Sequence, residues 1–88
     1  MWNLEDVLDV LNEHRQRATY GAVAGVVGGI ARGVMHGRTR CPRDSWVVRK
    51  RGRLPSGYTA DEKHSDLLLN PRVIDIGEEL RLWLSRPN

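Results

Sequence analysis

Eighty-eight residues with 40% hydrophobic content make one small domain, residues 1–88, and leave no room for a second core. A single cysteine, Cys41, excludes an internal disulfide framework and fits a reducing cytosol, so a cytoplasmic protein, nucleoid-associated in a bacterium, is expected. The formal charge of +3 hides a sorting of signs: residues 15–60 hold ten bases against one acid, a net +9, whereas the remainder holds four bases against ten acids.

In chain order, Trp2–His14 reads as a helix, with Leu4, Val7, Leu8 and Leu11 on one stripe and Asn3 as its N-cap. The basic string His14–Arg17 ends it and links to the next element. Thr19 caps a second helix from Tyr20 to about Val27, and Gly28-Gly29 breaks it. Ile30 to about Arg38 is expected as a third helix, with Ile30, Val34 and Met35 turned inward. The two pieces form a helix-turn-helix. Gly33 and Gly37 each cost about 1 kcal/mol relative to alanine in a helix, which points to a close approach of something to the backbone.

Gly21, Gly25 and Gly29 have the small-xxx-small spacing of packed transmembrane helices. Yet the apolar stretch 18–31 spans 14 residues where a bilayer takes about 20. Close helix packing within the domain is the better account, and no membrane association is expected.

Beyond a loop at Thr39–Ser45, Trp46–Val48 reads as a short strand and Arg49–Arg53 as a basic turn or wing. An irregular loop follows at Leu54–Tyr58. Thr59 is placed to cap a helix that sends Leu67, Leu68 and Leu69 inward, and Asn70-Pro71 stops it. Val73–Ile76 and Leu80–Leu84 form either a small hairpin or a strand followed by a short helix. Trp2 and Trp83 are expected to pack the two chain ends on the core. The fold class is therefore mainly α: one small domain with a helix-turn-helix and a basic wing, winged-helix-like.

Nine of the ten central bases are arginines, whose planar forks suit phosphates and base edges. A nucleic acid is the partner that this layout implies. A protein-interaction module whose basic face meets an acidic partner is a further, lesser reading.

Four stretches, ATYGAVA (Ala18–Ala24), GIARGV (Gly29–Val34), WVV followed by GRLPSGY (Trp46–Tyr58) and LLLNPRV (Leu67–Val73), carry a resemblance. In this order they resemble the DNA-binding domain of the O6-alkylguanine-DNA alkyltransferases, and more closely the alkyltransferase-like proteins. The similarity runs from about Trp2 to Leu84. It implies a helix-turn-helix in the minor groove of double-stranded DNA, with Arg32 as the finger that replaces an extruded guanine. It implies Tyr20 at the DNA backbone, Tyr58 lining the base pocket, and Ala31, Gly33 and Gly37 letting the helix sit deep. Arg38, Arg40, Arg49, Lys50, Arg51 and Arg53 are the expected backbone contacts. A repair-protein partner is implied by the resemblance, and a monomer is expected.

The chain departs from that family where its chemistry lies. Active members carry Pro-Cys-His-Arg before Val-Val, and alkyltransferase-like proteins usually have tryptophan for the cysteine. Here Asp44 holds the cysteine position, Ser45 the histidine position and Trp46 the arginine position. Cys41 lies six residues before Val47 where the pattern needs three, with no histidine after it. No enzyme activity, metal or cofactor is therefore expected. Asp44, Ser45, Trp46 and Tyr58 form the expected base pocket, in which Asp44 either accepts from the donors of a guanine edge or pairs with Arg43 or Arg40. The expected function is non-catalytic recognition of alkylated or flipped bases in DNA repair. The alternative is a DNA-binding regulator or accessory protein on the same scaffold.

Overall fold

The computed structural model describes residues 2–86. Helix α1 spans Leu4–His14, and the Asn3 side chain caps it by accepting from the Asp6 N–H at 2.9 Å. Glu5 and Asp6 sit in its first turn, where the helix dipole favours anions. Val7, Leu8 and Leu11 are fully buried and Leu4 packs at the core edge, as the stripe predicts. Arg15 ends the helix in the left-handed region at φ 55°, while the Gln16 N–H reaches back to the Leu11 carbonyl at 3.0 Å.

The next residues are not the surface linker expected. Arg17–Thr19 is strand β1, the middle of a three-stranded sheet ordered β2-β1-β3, with β2 at Val47–Val48 and β3 at Val73–Ile74. Both pairings are parallel, with Ala18 opposite Val47 on one side and Ile74 on the other. A central parallel strand is covered on both faces, so its flanking polar side chains go inside with it. Gln16 and Arg17 are each only 5% exposed. The Arg17 fork donates to the Arg53 carbonyl at 2.8 Å and the Asn70 carbonyl at 3.0 Å. Gln16 donates to the Arg72 carbonyl at 2.9 Å and accepts from the Asn70 amide at 3.1 Å. These two side chains tie the long loops to the sheet.

Helix α2 spans Tyr20–Val27, capped by Thr19, whose hydroxyl accepts from the Ala22 N–H at 3.1 Å. Gly28 and Gly29, at φ 92° and 100°, stop it as expected. The third helix does not form. Ile30–Arg38 is a chain of turns, closed by hydrogen bonds such as Gly33 N–H to Ile30 carbonyl and His36 N–H to Gly33 carbonyl, both 3.1 Å. Glycines at 29, 33 and 37 weaken so short a segment, and Gly37 takes φ 78°. Ile30 is 69% exposed instead of turned inward, whereas Val34 and Met35 do pack against the core. The second arm of the helix-turn-helix is thus irregular backbone.

Pro42–Trp46 is a 3-10 turn that buries Asp44, Ser45 and Trp46, where a loop to Ser45 and a strand from Trp46 were expected. Arg49–Arg53 is a turn, closed by the Arg49 N–H on the Leu54 carbonyl at 3.0 Å, but among the described residues no strand of a wing flanks it beyond β2. Thr59 begins only a 3-10 turn, Ala60–Glu62, with the Glu62 carboxylate accepting from the Thr59 N–H at 2.8 Å. Of three consecutive leucines only Leu67 is buried. Leu68 and Leu69 are 66% and 74% exposed, because a turn cannot aim three successive side chains one way.

At the C-terminal end the strand-then-helix alternative is the one adopted: β3 is followed by helix α3, Gly77–Leu84, with Leu80 and Leu84 buried. The result is three helices around a small parallel sheet. Trp46 is fully buried in the middle and donates its indole N–H to Asn12 Oδ1 at 2.9 Å. Trp2 and Trp83 pack at the core edge, as expected. Gly25 carries the close helix packing, since a Cβ there would lie 3.1 Å from the Gly77 Cα. Gly21 and Gly29 have no such neighbour. Among the described residues no helix is long and apolar enough to cross a membrane.

Candidate nucleic-acid interface

The central arginines divide into those the fold uses and those it leaves out. Arg17 lies inside the domain. Arg38 binds Asp44 at 2.9 Å and Glu5 at 2.6 Å. Arg43 binds Glu5 at 2.9 Å, Asp9 at 2.8 Å and Asp44 at 3.2 Å. The two guanidinium groups hold the Glu5 carboxyl below its ordinary range, Arg38 more than Arg43. Arg38, expected at the DNA backbone, therefore spends its charge within the fold. Arg15 pairs with Asp66 at 3.2 Å.

Arg32, Arg40, Arg49, Lys50, Arg51 and Arg53 form no ion pair among the described residues. Lys50 and Arg51 are exposed at the tip of the basic turn. Arg53 is half-buried at φ 60°, its carbonyl held by Arg17. Arg32, Arg40 and Arg49 come together with Tyr20, Ala31 and His36 around a cavity of about 350 Å3. Gly33 lies on the same turn chain as Arg32 but lines neither this cavity nor its neighbour.

A second cavity, of about 400 Å3, adjoins the first, since Tyr20, Met35, His36, Arg40 and Ser56 line both. Its further walls include Gly37, Arg38, Asp44 and Tyr58. Both volumes fall within the roughly 300–1,000 Å3 of small-ligand sites. Tyr20 is the first residue of α2, and its hydroxyl accepts from the Ser56 N–H at 2.9 Å. This bond pins the Leu54–Tyr58 loop across the cavity mouths. Arg40 lies flat against that loop: a Cβ on Gly57 would meet its Nη2 at 2.8 Å. Burial pushes the Tyr58 phenol up to about 12, and the charge of Asp44 adds to the shift. Tyr58 is accordingly a neutral donor at pH 7.

The expected base pocket is half assembled. Asp44 and Tyr58 share a cavity as expected, but Ser45 and Trp46 do not line it. The Ser45 hydroxyl faces inward, donating to the Pro42 carbonyl at 2.6 Å and accepting from the His64 N–H at 3.0 Å. Trp46 lies wholly in the core against the His64 ring, whose centroid is 4.9 Å away. The 3-10 turn causes this, since it directs Ser45 and Trp46 to the interior. Asp44 pairs with Arg43, one of the two partners considered, and with Arg38 instead of Arg40.

His36 and Ser56 line the site as well, although neither stood among the expected contacts. Ser56 falls in the quoted GRLPSGY stretch, and that adjacency to Tyr58 was the one available signal. Chemically the paired cavities offer three unpaired guanidinium groups on one side and a phenol with a neutralised carboxylate on the other. No protein-family model, curated protein or solved structure matches the chain.

Proposed function

We infer that the chain is a non-catalytic DNA-binding protein that grips the duplex through Arg32, Arg40, Arg49, Lys50 and Arg51 and takes an extruded base into the cavity of Tyr58, Tyr20 and Asp44. One observation carries this reading. Tyr20, Arg32, Asp44 and Tyr58 are scattered over the chain, yet they line two cavities that share a wall. These are the residues that the resemblance to alkyltransferase-like proteins marks for backbone contact, finger, acceptor position and pocket. Flipping a base costs a few kcal/mol of stacking and pairing, and a pocket with a finger offsets it. On this reading the irregular Ile30–Arg38 turns and the basic Arg49–Arg53 turn face the duplex. O6-alkylguanine is the base class that the resemblance implies, and repair is the setting.

The state of Asp44 favours a second reading, a DNA-binding accessory protein without lesion recognition. Its carboxylate is buried and its charge is already compensated by Arg38 and Arg43, so it has less to offer a guanine edge.

A fluorescence titration of matched duplexes, with and without one O6-methylguanine, separates the two. Tighter binding of the modified duplex, lost in Arg32→Ala and Tyr20→Ala, supports lesion recognition. Equal affinity for both duplexes leaves the accessory reading, and no binding to either removes both. DNA binding should weaken with salt, with a log–log slope of about −0.9 per phosphate contacted.

A further inference from the structure

We propose that the cavity walled by Arg32, Arg40 and Arg49 is a binding site for a phosphate monoester, the group carried at a 5′-phosphorylated DNA end. The proposal rests on the DNA-binding reading and adds the chemical group that this part of the face grips.

The lining sets the charge. Three arginines line the space, and no acid is among the residues that line it. Asp44 lines the adjoining cavity and is already shared by Arg38 and Arg43. Three like charges gathered without a counter-ion repel one another, and an anion between them relieves that repulsion. A monoester carries about −1.5 to −2 at neutral pH, against −1 for an internal diester, and so gains more from the same three groups.

The chain around two of these arginines is anchored. The Arg49 backbone closes the basic turn on Leu54, and the Arg40 guanidinium lies against Gly57. Tyr20 accepts a hydrogen bond from the Ser56 N–H, which leaves its own O–H free to donate to a phosphate oxygen. The adjoining cavity, with Tyr58 on its wall, lies on the side where the attached nucleoside would continue. That space sets Arg38 and Arg40 against Asp44, a smaller excess of positive charge than three arginines without an acid, so the phosphate is assigned to the first space.

The test compares one DNA hairpin with a 5′-phosphate and the same hairpin with a 5′-hydroxyl, by fluorescence anisotropy at near-physiological salt. The phosphorylated end should bind about tenfold more tightly, the worth of one added charge-assisted contact. Arg40→Gln and Arg49→Gln, checked by circular dichroism, should bring the two ends to within about twofold by removing that contact. Independently, inorganic phosphate should raise the melting temperature of the free protein above sodium chloride of equal ionic strength. Equal affinity for the two ends in the parent protein overturns the monoester site and leaves DNA binding standing. If neither hairpin binds but phosphate and a deoxynucleoside 5′-monophosphate stabilise the protein, the site stands as one for a free nucleotide and the DNA reading falls. If no hairpin binds and no stabilisation is seen, both fall.

Discussion

Two alanine substitutions on one helix should move stability in opposite directions. Gly21 and Gly25 both lie in α2, Tyr20–Val27, and both gain helix propensity on substitution, up to about 1 kcal/mol in a helix interior. What a new methyl group meets is different. At Gly21 the nearest atom is the Thr19 hydroxyl at 4.0 Å, an ordinary contact. At Gly25 it is the Gly77 Cα at 3.1 Å, with the Gly77 nitrogen at 3.8 Å, and both belong to the backbone of α3. Carbon atoms sit comfortably about 3.5–4.0 Å apart, and backbone cannot rotate away as a side chain can, so α2 and α3 must separate. Overpacking of this kind costs about 1–3 kcal/mol. Set against the propensity gain, Gly25→Ala should lose about 1 kcal/mol, while Gly21→Ala gains about 0.5 kcal/mol. In a domain of this size a difference of that order separates the melting temperatures by roughly 10 °C. Thermal unfolding followed by far-ultraviolet circular dichroism reads it directly. A Gly25→Ala protein that melts at or above Gly21→Ala would refute the close crossing. Gly77→Ala, whose Cβ would lie 3.0 Å from the Gly25 Cα, should behave like Gly25→Ala.

Three further outcomes follow from the charge layout. Asp44→Ala should cost about 3 kcal/mol in urea denaturation, since it removes a buried carboxylate from Arg38 and Arg43 while Glu5 and Asp9 still compensate them in part. Glu5 has its pKa lowered in the fold by Arg38 and Arg43, so its contribution is present above the unfolded value of 4.5 and is lost as pH falls through the lower folded value. Glu5→Gln should make acid unfolding shallower in that window. Tyr58 is shifted the other way, from 10.0 to about 12, so its contribution is full below pH 10 and is lost as pH rises towards 12. The fall in stability across that alkaline range should flatten in Tyr58→Phe, as measured by denaturant midpoints.

Local signals were legible where they stood alone. Asn3 and Thr19 cap the helices that they were expected to cap, because a cap is made within three residues and needs no distant partner. The stripe Val7, Leu8, Leu11 and the break at Gly28-Gly29 are of the same kind. The parallel sheet was not legible. Its strands are two or three residues long, too short to show a period of two, and β1 joins partners some thirty and fifty-five residues away. Ile30–Arg38 failed for the opposite reason: its apolar spacing suits a helix, but glycines at 33 and 37 weaken it, and Ile30 finds no core to bury against. The candidate site was legible as a set of residue types. Its assembly was not, since the Tyr20 hydroxyl meets Ser56 across 36 positions and both residues line both spaces.

The charges show most sharply what a sequence alone leaves open. Ten bases against one acid between residues 15 and 60 read as a single positive face. The fold divides that block by bringing α1 beside the 3-10 turn, so that Glu5 and Asp9 neutralise Arg38 and Arg43 from 33 and 34 positions away. It removes Arg17 altogether, because the central strand of a parallel sheet has no exposed face to give it. Each arginine was equivalent in composition, yet only those beyond the reach of the acidic first helix keep a charge to offer a partner. Arg32, Arg40 and Arg49 are such residues, and they line one cavity. It follows that reversing the acids of α1, as in Glu5→Lys with Asp9→Lys, should unsettle Arg38 and Arg43 and lower stability without adding a phosphate grip. Neutralising Arg32, Arg40 or Arg49 should instead leave stability nearly unchanged and take away binding. A binding loss that tracked Arg38 and Arg43 rather than the three would place the interface on the other side of the molecule.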